Sequence, residues 1–112
     1  MELIVRRADD TVTHLVLSGR LDIAGVNLIG DRFTFTTTGR RKGTLLDLSG
    51  VTFIASLGIG LILGAAKALQ RQGVKMVLLS PSGLVEQSLR AAGIDQVITI
   101  AHEEERALEL LC

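Results

Sequence analysis

The chain has 112 residues, 47% apolar and 21% charged, a composition that excludes disorder and fits one packed domain. Twelve basic residues balance twelve acidic ones and the only aromatic residues are three Phe, so neither a basic footprint for nucleic acid nor a stacking platform for bases is encoded. The one cysteine, Cys112, allows no internal disulfide, and the longest apolar run, Leu57 to Leu69, contains Gly58, Gly60, Gly64 and Lys67 and falls short of the ~20 residues of a membrane span.

Glu2 to Arg7 reads as a strand, with a turn at Ala8–Asp9–Asp10. Thr11 to Ser18 alternates, with Val12, His14 and Val16 on one face and Leu15 and Leu17 on the other. The two form an antiparallel hairpin that Gly19 ends. The polar N-terminal stretch, Arg6, Arg7, Asp9 and Asp10, reads as no signal peptide, and a cytoplasmic protein without membrane insertion is expected. Asp22 stands as an N-cap ahead of Ile23 to Thr38. There "FTFTTT" favours strand, but Val26, Ile29 and Phe33 recur at helical spacing and predict a helix. "GRRKG", residues 39–43, is a basic turn, read as solvated rather than as a phosphate site.

Leu45 to Leu48 is the apolar run of a central buried strand, followed by a Ser49–Gly50 turn. "VTFIASLGIGLILG", residues 51–64, begins as a strand and continues as a helix from about Leu57 to Gln72, with Gly73 at a left-handed C-cap. Val74 to Leu79 is a strand. Ser80–Pro81–Ser82 opens a helix with Leu84, Val85, Leu89 and Ala92 on its apolar side, closed by Gly93. Val97 to Ile100 is the last strand, and His102 to Leu111 a helix with Glu103, Glu104 and Glu105 at the positive end of its dipole. The order β-β-α-β-α-β-α-β-α predicts one α/β domain over residues 1–112. It is a mostly parallel sheet with an antiparallel N-terminal edge hairpin, packed against about four helices.

Few residues carry chemistry. His14 and His102 are far apart in sequence and Cys112 is terminal, so no metal site is expected. Around Ser56 the order Ile54–Ala55–Ser56–Leu57–Gly58 lacks the first glycine of G-x-S-x-G, and neither histidine is placed to serve as a base. Gly58-x-Gly60-x-x-x-Gly64 is one residue longer than a dinucleotide fingerprint, and no acidic residue ends the next strand. No cofactor is expected; these glycines let a helix press closely on the sheet or on another protein. Asp22 and Asp47 each have a local reading, as a helix cap and as an acceptor for backbone groups at a strand end. Ser56 has two readings. It is an N-cap worth roughly 1 kcal/mol, or, since Leu57, Ile59, Leu61, Ile62 and Leu63 surround the first turns, the switchable centre of an apolar docking surface.

"GRLD" (Gly19 to Asp22), the Asp47–Leu48 strand end, "VTFI" before Ser56, Ser-x-Gly-x-Gly at the helix start, Gly73, and "AAGIDQV" (91–97) together resemble the STAS domain over nearly the whole chain. The resemblance is strongest to the free-standing bacterial anti-sigma-factor antagonists. It implies a phosphoprotein of transcription regulation without catalysis of its own, in which Ser56 is the phosphoacceptor. A partner serine protein kinase, itself the anti-sigma factor, binds the unphosphorylated form and releases it on phosphorylation, and a PP2C-type phosphatase resets the switch. Asp22 and Asp47 would flank the docking surface, with Ala55, Leu57, Gly58, Ile59 and Gly60 in the contact. Ala55 stands where the family usually has Asp, and Leu57 where a second Ser often follows. Two other readings compete: a STAS subunit of an ABC-type lipid-transport complex bound to its ATPase, and a small nucleotide-binding protein or enzyme using the Gly58–Gly64 turn.

Overall fold

The computed structural model describes residues 1–111; Cys112, with the reading of its thiol, lies outside them. The elements are β1 (Glu2–Ala8), β2 (Val12–Leu21), α1 (Ile23–Thr37), β3 (Gly43–Ile54), α2 (Ser56–Arg71), β4 (Met76–Leu79), α3 (Gly83–Ala91), a 3-10 turn (Ile94–Gln96), β5 (Thr99–Ala101) and α4 (Glu104–Leu111). The five strands form one sheet in the order β1-β2-β3-β4-β5. β1 and β2 are antiparallel and the other pairs parallel, the α/β architecture that the order of elements predicts.

The hairpin is closed by a side chain. Asp9 Oδ1 accepts from the backbone N–H groups of Thr11 and Val12 and from the Thr11 hydroxyl. With the Arg7 guanidinium beside it, the Asp9 carboxyl is held well below the usual carboxylate range. The basic turn is a pin rather than a free patch. Arg40 donates to Thr13 Oγ1 at 2.6 Å and to the carbonyls of Asp9 and Val12, tying residues 39–43 to the hairpin.

Two expected breaks are absent. β2 runs through Gly19 to Leu21, and β3 passes through Ser49–Gly50 without turning. The ladder absorbs the irregularity instead: Val16 pairs with Asp47 but Ser18 with Gly50, and Gly19 with Val51 but Arg20 with Phe53. Glycine is needed at both places, because Gly19 has φ +103° and a Cβ on Gly50 would lie 2.8 Å from Ser18 Cβ. β4 ends at Leu79, opposite Asp47, so β2 and β3 continue beyond it as a two-stranded ribbon.

One face of the sheet, with Leu15, Leu17, Leu46 and Leu48, packs under α1, α2 and α3 through Phe33, Ile62, Leu69 and Leu89. The other face, with Leu45, Val77 and Leu79, is covered by α4 through Ala107. α1 is a helix despite its β-branched run. The hydroxyls of Thr36, Thr37 and Thr38 bond back to carbonyls of the preceding turn, and Ile29 and Phe33 supply the buried stripe. α2 ends as expected at Gly73 (φ +82°), where Val74 N–H reaches the Leu69 carbonyl, and this delays β4 to Met76. α3 buries only Val85 and Leu89; Leu84 and Ala92, expected on its apolar side, are exposed because so short a helix meets the sheet along one narrow stripe. No helix among the described residues is long and apolar enough to cross a membrane.

Candidate functional site

The tip of the β2–β3 ribbon gathers several of the residues singled out above. Its last pair is Leu21 with Ile54, and Ala55 N–H donates to the Leu21 carbonyl at 3.0 Å. From there β2 passes through Asp22 into α1, and β3 through Ala55 into α2, so two helix N-termini start side by side.

Asp22 caps α1: its Oδ1 accepts from Gly25 N–H at 2.9 Å, and its Oδ2 pairs with Arg20 Nε at 3.4 Å. The Gly25 hydrogen bond, with the arginine second, holds this carboxyl below its ordinary value. The Arg20 guanidinium lies 4.4 Å from the centre of the Phe53 ring, the residue opposite it in the ladder. Arg20 and Phe53 went unnoticed in the sequence. The Arg20–Asp22 spacing, which puts both side chains on one face of a strand, was the available signal.

Ser56 is not the cap of α2. β3 stays paired through Ile54, so Ala55 takes the extended cap conformation (φ −94°, ψ 167°), and alanine has no oxygen to offer the first turn. Ser56 opens the helix, its residue exposed to solvent and free of capping duty. Leu57, next in the chain, and Phe53 and Ile23, at the end of β3 and the start of α1, are also exposed, Leu57 by 48%. Beside Phe53, a groove of about 140 Å³ runs between the end of β3 and α3, lined by Ile54, Leu84 and Val85.

The three glycines divide by role. A Cβ on Gly58 would lie 2.7 Å from the Leu21 carbonyl oxygen and 2.8 Å from Leu21 Cγ, so Gly58 is buried and lets α2 press on β2. It positions the helix and offers no surface, which removes it from the expected contact. Gly60 and Gly64 face open space on the outer side. Ile59 is half-buried and packs against the main core.

Asp47 does not join the site. Its side chain lies on the α4 face of the sheet, 8% exposed, where it accepts from Ser49 N–H at 2.9 Å and lies 3.8 Å from Arg6 Nη1. Five residue steps along β2 lead from its partner Val16 to Leu21, roughly 16 Å at a rise of about 3.3 Å each. Its local reading, an acceptor for a backbone N–H, is the one the geometry supports.

The arrangement offers an accessible hydroxyl on a helix whose first N–H groups favour an anion. The histidines lie elsewhere. His14 is buried on the α4 face, and His102 follows β5 and meets Glu86 at 2.7 Å. Among the described residues no group of three or more His, Cys, Asp or Glu could hold a metal ion.

This ribbon-tipped sheet has known relatives. An anti-sigma-factor antagonist (STAS) domain protein from Planctomyces limnophilus matches with a TM-score of 0.85 and 24% identity, over 98% of this chain and 97% of its own. The anti-sigma factor antagonist SpoIIAA in its unphosphorylated form matches with a TM-score of 0.80 and 21% identity, over 97% of this chain and 95% of its own. The Bacillus cell fate determinant SpoIIAA in its phosphorylated form gives 0.73 and 20%, over 99% and 100%. The sequence pattern of the STAS domain covers residues 4–107, from the first strand to the last helix. Fold and sequence pattern agree along almost the whole length, and the chain belongs to the STAS domain family.

Proposed function

We propose that residues 1–112 act as one regulatory domain, an anti-sigma-factor antagonist that docks through its ribbon tip and is released when Ser56 is phosphorylated. The observation that carries this reading is the exposed Ser56 at the head of α2, beside Leu57 and Phe53, with Ala55 leaving the hydroxyl free of a capping role. That a protein of the same fold exists in unphosphorylated and phosphorylated forms adds support. The partner is an anti-sigma factor that is also a serine protein kinase, with a PP2C-type phosphatase as the resetting enzyme, all in the cytoplasm. The contact comprises Asp22, Ala55, Leu57, Ile59 and Gly60, with Gly58 holding the helix in place. The domain performs no chemistry of its own.

The switch is electrostatic. Phosphorylation adds about −1.5 to −2 charges. The free N–H groups of α2 accept that charge, so the fold persists. A docked partner, by contrast, would have to strip water from the phosphate next to the Asp22 carboxylate and the apolar rim. A hundredfold loss of affinity, about 2.7 kcal/mol, is expected. Titration of the cognate kinase with Ser56→Ala and Ser56→Asp is the test: the alanine form binds like the unmodified chain and the aspartate form at least tenfold more weakly. Equal binding by both variants would remove the proposal.

One feature favours a second reading. Ala55 supplies no carboxylate next to the serine to orient a kinase's metal, which suits a STAS subunit docked on the ATPase of a lipid-transport complex. Capture of an ABC ATPase rather than a serine kinase from host extract would select it.

A further inference from the structure

β4 and β5 do not start level. Met76 opens β4 and pairs with Thr44 of β3, but the first β4–β5 pair is Val77 with Thr99. Before it the chain leaves the 3-10 turn through Val97 and Ile98, which add no strand pair. A cavity of about 240 Å³ lies at this unpaired edge, between the C-terminal half of α2 and the end of α4. Its walls come from both layers of the fold. Ala66, Met76 and Ile98 belong to the core beneath α1, α2 and α3, and Val77 and Leu110 to the cluster that α4 covers. The cavity therefore bends round the sheet edge, a shape that a flexible unbranched chain follows more readily than a rigid ring.

Three polar side chains, Gln70, Lys75 and Thr99, share the lining. None of them makes a side-chain hydrogen bond or an ion pair among the described residues. Lys75 is the only charged residue in the lining, and the sequence from Leu48 to Val85 contains no acidic residue. The nearest acid along the chain from Val97, Asp95, is paired with Arg90. Apolar walls with a few free polar groups are the form of a small-ligand site, and the cation sets the sign of the ligand.

At roughly 30 Å³ for a water-sized group, this volume holds about eight. We infer that the cavity binds a free unbranched carboxylate of about eight carbons, its chain along Ala66, Met76 and Leu110 and its head at Lys75, Gln70 and Thr99. A cationic head would meet Lys75, an uncharged chain would desolvate that ammonium without giving it a partner, and a nucleotide exceeds the space. The site lies at the opposite end of β4 from the ribbon tip, since Met76 opens the strand that Leu79 ends. Occupancy leaves Ser56 and its neighbours free, so the inference stands apart from the phosphorylation switch.

A ligand of about ten non-hydrogen atoms is held here with a dissociation constant on the order of 1 mM. Titration of the isotope-labelled full chain with sodium octanoate, read as amide NMR shifts, gives saturable changes confined to residues such as Ala66, Val77, Val97, Thr99 and Leu110. Octyltrimethylammonium, the same chain with a positive head, binds about fivefold more weakly. Lys75→Glu, at an exposed position, reverses that order, and the spectrum of the variant verifies its fold. N-acetylleucine, a branched carboxylate that mimics a peptide C-terminus, binds more weakly than octanoate. No saturable shift up to about 10 mM overturns the inference. So do equal changes at the exposed Leu28 and Phe35, an order of binding that Lys75→Glu leaves unchanged, or tighter binding of N-acetylleucine.

Discussion

Gly58 lies directly against Leu21: a methyl group in place of its hydrogen would come within 2.7 Å of the Leu21 carbonyl oxygen. The neighbour that would have to give way is backbone, held by the hydrogen bond from Ala55. Gly58→Ala is therefore overpacked and costs about 1–3 kcal/mol, seen as a lower urea midpoint. Gly64→Ala meets open space inside a helix and raises stability by about 0.5–1 kcal/mol. Equal effects in the two variants would contradict the division of roles between these glycines.

The head of α2 is uncapped. Ala55→Asp places an acceptor at the N-cap and is expected to stabilise by about 1 kcal/mol. Ser56→Asp, one position on, adds a negative charge to the first turn and stabilises by about 0.3–1 kcal/mol, with the gain fading as salt is added. Thermal denaturation at low and high ionic strength measures both. A destabilised Ser56→Asp at low salt would mean that the helix end rejects the charge that the switch requires.

His14 is 4% exposed, with its Nε2 buried and unpartnered. Arg6 and Arg7 of β1, Asp47 of β3 and Glu104 of α4 act on it, and burial pulls its pKa below the usual 6.5. The unfolded chain therefore binds a proton more readily than the folded one. Stability is complete above pH 6.5, falls as the pH drops through 6.5, and levels off below the depressed folded value. Urea midpoints of the unmodified chain decline between pH 7.5 and 5 on this basis, and His14→Leu flattens the curve while keeping the site apolar. An unchanged slope in that variant would locate the pH sensitivity elsewhere.

Much of the fold was legible because local pattern and tertiary environment agree. Val85 and Leu89, Leu45 and Leu46, and the Gly73 stop each report a buried stripe, a buried strand or a left-handed cap through residues within a few positions. α1 was readable for the same reason: the spacing of Ile29 and Phe33 outweighs its threonines once a sheet lies beneath it. The glycines at 19 and 50 misled, because a residue that permits a turn equally permits a bulge, and only pairing with a neighbouring strand chooses between them.

The site divides along the same line. Residue order alone brought Asp22, Ala55, Ser56 and Leu57 to notice and set them where strands give way to helices. Register between β2 and β3 decided the rest. It carried the strand pairing to Ile54, which moved the cap from Ser56 to Ala55, pressed Gly58 onto Leu21, set Arg20 over Phe53, and left Asp47 on the far face roughly 16 Å back along the ladder. Periodicity reports which side of its own element a residue occupies. How far two elements slide past one another is settled by packing of the whole sheet, and that slide determines which side chains meet.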